Sequence, residues 1–246
     1  MRLDIYLAIH HGVTRNRAQQ LIATDLVFVN NRVCNKASFQ VLDDTIIEVI
    51  VDRRIEWVSR SAEKLAGFIE GLDIPMNISG SNCLDVGSST GGFTQVLLQY
   101  GASHVDAVDV GTDQLHPSLR SDPRVRSYEQ TDIREFAKSK HDPYDIIVCD
   151  ASFISLALIF DAMIALASGN TLLIVLYKPQ FEVGRANLRK TGVPKDMKIV
   201  ESKMKEFELL LTHRNMNTLK EEKSSLIGEA GNQEWIYMLQ QNPEAI

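Results

Sequence analysis

Apolar side chains recur along this chain in two rhythms, and the points where one gives way to the other mark out its elements. Short, largely apolar runs at residues 84–86, 104–108, 144–149 and 171–177 read as strands, the last two as buried ones. Between them Leu65, Phe68 and Ile69, and later Phe93, Val96 and Leu97, fall at helical spacing. Strand and helix thus alternate, which predicts an α/β domain built on a doubly wound sheet. A short extended stretch at 125–128 adds a further strand, and residues 216–227 and 233–239 read as two closing strands joined through Gly228-Glu229-Ala230-Gly231-Asn232. The amphipathic segment 156–167 is interrupted by Asp161 and reads as a helix packed on the sheet.

Residues 1–50 follow a different grammar. Leu3, Leu7 and Ile9 predict a short helix ended by Gly12, and Thr14 is placed to cap a second helix with Ala18, Leu21 and Ile22 on its buried side. A strand at 26–29, a tight turn at Asn30-Asn31, a partner strand at 32–34 and a closing strand at 45–51 after Asp43-Asp44 complete a small α+β domain. Residues 51–58 form an interdomain linker whose Trp57 and Val58 should dock on a domain surface. The larger domain then occupies 59–246, beginning with a helix on which Lys64 borders the apolar side.

Length and composition suit this plan: 246 residues with 44% hydrophobic content can bury one large core and a small accessory one. There is no run of eighteen apolar residues and no signal-peptide pattern at the start, so a cytoplasmic protein is expected. Cys34, Cys83 and Cys149 are far apart, without metal-ligand spacing, and read as structural thiols; no metal is expected. The net charge of −6 is uneven, since residues 1–60 carry eight basic and seven acidic side chains and the remainder carries −7. Arg2, Arg15, Arg17, Arg32, Lys36, Arg53, Arg54 and Arg60 are all in that first part, where a local cluster can bind phosphates whatever the global charge.

Candidate chemistry concentrates where strands end. Asp85-Val86-Gly87-Ser88-Ser89-Thr90-Gly91-Gly92-Phe93-Thr94 runs from a strand through a glycine-rich turn into a helix. Gly87, Gly91 and Gly92, with Ser88 and Thr90 among them, let the backbone approach a ligand. Asp85 disfavours a pyrophosphate and suits a cationic or amine-bearing one. S-adenosyl-L-methionine, with its sulfonium and α-ammonium groups, is such a ligand. Asp109 ends the next strand 24 residues later, where a carboxylate accepts hydrogen bonds from ribose hydroxyls. Asp132 either presents itself to the adenine amine or serves its own turn. Asp150 and Lys178 emerge from strands on one sheet edge, so an ion pair between them is expected. The basic loop 184–192 lies near that edge and reads either as a surface loop or as an RNA contact.

Two resemblances carry the reading further. Arg2-Leu3-Asp4, Thr14-Arg15-Asn16-Arg17-Ala18, Leu21-Ile22, Val27-Phe28-Val29-Asn30-Asn31, Lys36, Asp44 and residues 46–49 together resemble the S4-type RNA-binding domain. That resemblance implies RNA-backbone contacts by Arg15, Arg17, Arg32 and Lys36, to which the basic cluster adds Arg60. Ser59-Arg60, Lys64-Leu65, the Asp85 to Thr94 loop, Ala107-Val108-Asp109-Val110-Gly111, Cys149-Asp150-Ala151-Ser152-Phe153-Ile154-Ser155, Lys178-Pro179-Gln180-Phe181-Glu182 and Gly231-Asn232-Gln233-Glu234 resemble the TlyA family. Its members, once labelled haemolysins, are ribosomal RNA 2′-O-methyltransferases combining an S4-type domain with an FtsJ-like, Rossmann-like methyltransferase domain. The resemblance implies a catalytic tetrad of Lys64, Asp150, Lys178 and Glu234. It also implies an S-adenosyl-L-methionine cofactor and, as substrate, a cytidine ribose of ribosomal RNA within a subunit, here the large one. Ser61-Ala62, where glycine is common, and Gln95, where the family often has Asp, depart from the pattern in loop geometry and cofactor trim.

A ribose hydroxyl is a weak acid, so its attack on a sulfonium methyl needs an adjacent base or cation. Lys178 is the candidate base and Asp150 its orienting partner. Lys64 then stabilises charge on the oxygen, and Glu234 holds that lysine or the ribose; the four groups titrate together. Three rivals are distinguishable. A base N-methyltransferase would carry an Asn/Asp-Pro-Pro-Tyr/Phe motif where this chain has Asp150-Ala151-Ser152-Phe153. A catalytically silent ribosome-binding factor would bind without methyl transfer, and a pore-forming haemolysin is opposed by the lack of a spanning segment.

Overall fold

The computed structural model describes residues 1–10, 15–23, 27–42, 45–49, 57–73, 76–139 and 141–242, without the side chains of Asn16, Arg17, Gln20 and Glu229. The chain divides into two compact units, Met1–Trp57 and Val58–Ile246. Gly12, Thr14, Leu26, Asp43, Asp44, the linker residues 51–56 with Arg53 and Arg54, and the side chain of Arg17 carried expectations that lie outside the described residues.

In the first unit, α1 (Leu3–His10) and α2 (Arg15–Ala23) accompany a three-stranded antiparallel sheet of β1 (Val27–Val29), β2 (Arg32–Val33) and β3 (Ile47–Val49), ordered β2-β1-β3. Leu3 and Leu7, one helical turn apart, meet Ala18, Leu21 and Ile22 of α2 and Val27 and Val29 of β1 in a single core. Ile9, expected on that face, is out of phase with Leu3 and Leu7 and stands exposed. Asn30 and Asn31 take φ of 49° and 62°, the left-handed pair that a two-residue hairpin turn of this hand requires.

Asp4 is fully enclosed in this unit. Arg2 donates to both of its oxygens at 2.9 and 3.0 Å, Arg15 Nε donates at 2.9 Å and Gln19 Nε2 at 2.8 Å. Arg2 first, with Gln19 and Arg15, outweighs the cost of burial and holds the carboxyl far below the usual carboxylate range.

The second unit is built on β4 (Asn82–Val86), β5 (His104–Val108), β6 (Val125–Tyr128), β7 (Tyr144–Cys149), β8 (Ala167–Tyr177), β9 (Met216–Lys223) and β10 (Trp235–Gln241). Their order is β6-β5-β4-β7-β8-β10-β9. The first five are parallel, and β10 runs antiparallel to both its neighbours. Helices α3 (Ser61–Glu70), α4 (Gly92–Gln99), α5 (Pro117–Arg120), α6 (Ile133–Phe136), α7 (Phe160–Ala165), α8 (Pro179–Glu182) and α9 (Met197–His213) intervene. The chain winds outward from β4 to β6 and then crosses back to β7, so the strand order reverses between β4 and β7. Crevices for ligands open at such a reversal, beyond the carboxyl ends of the strands.

Leu84, Ile147, Val175, Phe160, Tyr177, Phe207 and Tyr237 form the centre of the sheet's core. Cys83 and Cys149 are buried, and burial pushes each thiol up to about 12, while Cys34 is half-buried. Several boundaries differ from the sequence reading, among them that of β10, expected at 233–239. β8 starts at Ala167 because Thr171 Oγ1 donates to the Tyr144 carbonyl at 2.6 Å and accepts from Ser168 N at 2.7 Å, carrying the ladder through a register shift. β9 stops at Lys223, and residues 156–167 split into a 3-10 turn, Leu156–Leu158, and the short α7. Among the described residues no helix is long and apolar enough to cross a membrane.

Candidate active site

The backbone leaving β4 bends at Gly87, φ +76°, and passes so near the segment after β7 that a Cβ there would lie 2.8 Å from Ala151 Cα. Only glycine fits this crossing. Beside it opens a cavity of about 1030 Å³, walled in part by Asp85, Gly87, Ser88, Thr90, Asp109 and Asp132. Gly91 and Gly92, expected to face a cofactor, are not part of its wall. A Cβ on Gly91 would meet Leu119 Cδ1 at 2.3 Å, and one on Gly92 would meet Ser61 Oγ at 2.2 Å and Ser59 Oγ at 2.3 Å. These two glycines make room for α5 and for the start of α3.

Asp85 is sealed from solvent, with Oδ2 accepting from Thr94 N at 2.9 Å and Thr94 Oγ1 at 2.6 Å. Its Oδ1 is enclosed with no hydrogen-bond partner among the described residues. Burial pushes this carboxyl up to about 7; the Thr94 contacts act against the shift, and the charges of Asp150 and Asp109 add to it. An enclosed acceptor without a donor is expensive unless a ligand supplies one. A cationic amine is the donor that such a carboxylate suits. Asp109 Oδ2 accepts from Ser89 N at 2.8 Å and Oδ1 from Gly111 N at 2.7 Å, which fixes the carboxylate at the end of β5. Asp132 caps α6 through Arg134 N at 2.8 Å and pairs with the Arg134 guanidinium at 2.6 Å, so both its oxygens also serve their own turn. The residues present therefore fit a ligand such as S-adenosyl-L-methionine, which offers an amine and ribose hydroxyls.

The four tetrad residues form two ion pairs that border the same cavity. Lys64 Nζ, brought by α3, donates to Glu234 Oε2 at 2.6 Å, and both side chains are buried. Lys178, at the end of β8, places Nζ 2.7 Å from Asp150 Oδ1. It donates instead to the Asp150 carbonyl at 3.1 Å and to Ser152 Oγ at 2.8 Å. Asp150 Oδ1 lies off the hydrogen-bonding axis of Lys178, so charge alone joins the two side chains.

The sequence reading passed over several participants. Gln180 Nε2 donates to Glu234 Oε1 at 3.0 Å, and Glu182 accepts from Ser155 Oγ at 2.6 Å and Leu156 N at 2.8 Å, bracing the loop that follows Asp150. Burial raises the Glu182 carboxyl above its ordinary range. Phe153 takes φ +65° and stands 91% exposed, its ring centroid 5.1 Å from that of Phe181. The available signal was that Ser152, Phe153, Ser155, Gln180, Phe181 and Glu182 stand in the two motif stretches that begin at Asp150 and Lys178. Gln95 Oε1 accepts from Val58 N at 2.7 Å and so anchors backbone instead of trimming the cofactor site.

Arg60 is exposed on the cavity wall. In the first unit Arg32 and Lys36 are exposed, and Arg15 is 55% exposed although its Nε is committed to Asp4. Among the described residues no group of three or more His, Cys, Asp and Glu is placed to hold a metal ion.

The sequence pattern of the FtsJ-like methyltransferase family matches residues 57–241, and that of the S4 domain matches residues 1–47. The 16S/23S rRNA (cytidine-2′-O)-methyltransferase TlyA of Mycobacterium tuberculosis is 37% identical over 241 residues, 97% of this chain and 89% of that protein. The chain belongs to the TlyA family of FtsJ-like methyltransferases. A second TlyA protein, the 23S rRNA (cytidine-2′-O)-methyltransferase of Campylobacter jejuni, is 37% identical over 96% of this chain and 98% of its own length. A solved structure described as a putative hemolysin from Streptococcus thermophilus superposes with a TM-score of 0.71 at 30% identity, covering 99% of this chain and 89% of that one. The fold is shared more widely, for example with an O-methyltransferase from Bacillus cereus bound to SAH, at 16% identity and a TM-score of 0.52 over 97% of this chain and 96% of that one.

Proposed function

We propose that the chain methylates the 2′-oxygen of a cytidine ribose in ribosomal RNA of the large subunit, acting in the cytoplasm with S-adenosyl-L-methionine as donor. The observation that carries this reading is the convergence of two lysine–carboxylate pairs on the cavity that Asp85 and Asp109 also line. The two TlyA relatives, which modify cytidine 2′-oxygens, support the substrate class, and the Campylobacter protein supports the large subunit.

When bound, S-adenosyl-L-methionine supplies an electrophilic methyl group. Asp85 receives the amine of the ligand at its open Oδ1, and Asp109 receives ribose hydroxyls from a carboxylate already fixed by two backbone amides. Lys178, steered by Asp150 and Ser152, takes the proton of the attacking hydroxyl at Nζ as a neutral amine, and the ammonium so formed is the partner that Asp150 holds by charge. Lys64 supplies positive charge to the developing alkoxide, and Glu234 keeps that ammonium in one place. Arg15, Arg17, Arg32 and Lys36 of the S4 unit, with Arg60, hold the RNA backbone, which positions the substrate without reading its sequence. The chemistry asks for no metal.

The test is incubation of the protein and labelled S-adenosyl-L-methionine with each ribosomal subunit and with naked RNA, followed by mapping of the modified nucleotide. Label is expected at a cytidine 2′-oxygen of the large subunit. Binding of subunits with no incorporation into any RNA would leave a silent assembly factor and overturn the enzyme reading.

A further inference from the structure

Glu234 is gripped from more sides than the tetrad accounts for. Its Oε2 takes Lys64 Nζ at 2.6 Å, while Oε1 takes Gln180 Nε2 at 3.0 Å. Gly228 closes in behind, where a Cβ would lie 2.3 Å from Oε1. The orientation of the Gln180 amide follows from chemistry, because only its NH2 end can face a carboxylate. So turned, Gln180 Oε1 is enclosed and accepts no hydrogen bond among the described residues. The penalty of that unmet acceptor is of the same order as the gain from a hydrogen bond to a charged group, so the side chain adds little net stability. What it does add is a fixed position for Glu234.

Gln180 also sits two residues after Lys178, with Pro179 between them at the first position of α8. Proline holds φ near its helical value and stiffens this turn. A single rigid turn therefore enters both ion pairs, contributing Lys178 to one and Gln180 to the neighbour of the other. We propose that Gln180 is a positioning residue for the methyl-transfer reaction, tethering Glu234 so that the Lys64 ammonium keeps its place relative to Lys178. The proposal rests on the methyltransferase reading above. Gln180 acts through Glu234 and Lys64 and does not itself touch the reacting atoms.

Two substitutions test it. Gln180→Met keeps length and volume but donates nothing; Gln180→Glu is isosteric and donates only when protonated. Gln180→Met should lower the single-turnover rate about tenfold and leave S-adenosyl-L-methionine affinity unchanged, since the loss falls on a geometry used in the transition state. Gln180→Glu sets two carboxyls side by side, and such a pair holds one proton between them more readily as acid is added. Its rate relative to the parent should therefore rise as pH falls, the opposite of what simple loss of packing gives. A parent-like rate in Gln180→Met, or a constant ratio of Gln180→Glu to parent across pH, overturns the proposal. Should Gln180→Met fail to fold, the Gln180→Glu ratio decides. Melting of Gln180→Glu, depressed at neutral pH and recovering toward the parent in acid, reports on the tether without any activity assay. If the parent methylates no ribosomal RNA, the functional reading falls while that melting behaviour still tests the contact.

Discussion

Asp4 and Asp85 are both shut away from solvent, one in each unit, and they keep very different company. Around Asp4, two arginines and a glutamine occupy both carboxylate oxygens, and the group is held ionised far into acid. Around Asp85, a single threonine serves one oxygen, the other has no donor among the described residues, and burial pushes the carboxyl up to about 7. Equal burial thus says nothing about role. A saturated carboxylate is part of the architecture, whereas one left with an open acceptor holds a place for a ligand.

The largest effects should come from the pair proposed as catalytic, which borders the open site. Lys178→Ala and Asp150→Ala are each expected to cut single-turnover methyl transfer by about 10²–10⁴ while RNA binding and melting stay near the parent's. The double variant should be little worse than either single one, because groups acting as a unit lose their joint effect once. Lys178→Arg keeps the charge but cannot surrender a proton at neutral pH, so a near-normal rate there would reduce Lys178 to an electrostatic role.

Exchanging the two aspartates for neutral residues should separate stability from binding. Asp4→Ala is expected to destabilise the first unit by about 1–3 kcal/mol, seen in denaturant melts, since Arg2, Arg15 and Gln19 lose their common acceptor. Asp85→Asn should leave melting unchanged or raised and weaken S-adenosyl-L-methionine binding by about tenfold, about 1.4 kcal/mol, in calorimetry. Parent-like affinity in folded Asp85→Asn would end the cofactor assignment for this residue.

Acidity supplies a third, smaller contrast. Because the Asp4 carboxyl is depressed, its stabilisation is present above the unfolded value near 4 and drains away as pH falls further. The Asp85 carboxyl is raised, so what it contributes to the ligand-free fold is present in acid and is lost as pH climbs through about 7. A cationic ligand favours the charged form, so cofactor affinity should rise between about pH 6 and about pH 8 in the parent and stay flat in Asp85→Asn. The smallest effect is expected from the arginines of α2. Arg15→Ala with Arg17→Ala should flatten the slope of log affinity for ribosomal RNA against log salt by about one to two units, with cofactor affinity unaltered. Identical slopes would remove these residues from the RNA surface.

Much of the larger unit was legible because its chemistry sits where apolar runs stop. Asp109, Asp150 and Lys178 each follow a strand and Asp85 stands at the next-to-last position of β4, and the parallel order brings those ends together whatever the side chains between them do. What escaped the sequence depends on distant packing. Gly91 and Gly92 carry the mark of a ligand loop, yet the atoms that forbid a side chain there belong to Leu119, Ser59 and Ser61. The company of Asp4 is set by how α1 meets α2. Gln180 could not be read from its neighbours, because its partner arrives 54 residues later along the chain.

β10 lies between β8 and β9 although β9 is made before it, and β9 pairs with no other described strand. β9 therefore joins the sheet only through its successor, and the two form a closing hairpin against β8. Glu234 comes in with them, immediately ahead of Trp235, the first residue of β10. Until that moment Lys64 has no counter-charge, and the enclosed position it will occupy is unfavourable for a bare ammonium. Closing the sheet therefore also completes the Lys64–Glu234 pair. In refolding experiments, variants that slow this hairpin should show helical signal well before the first turnover.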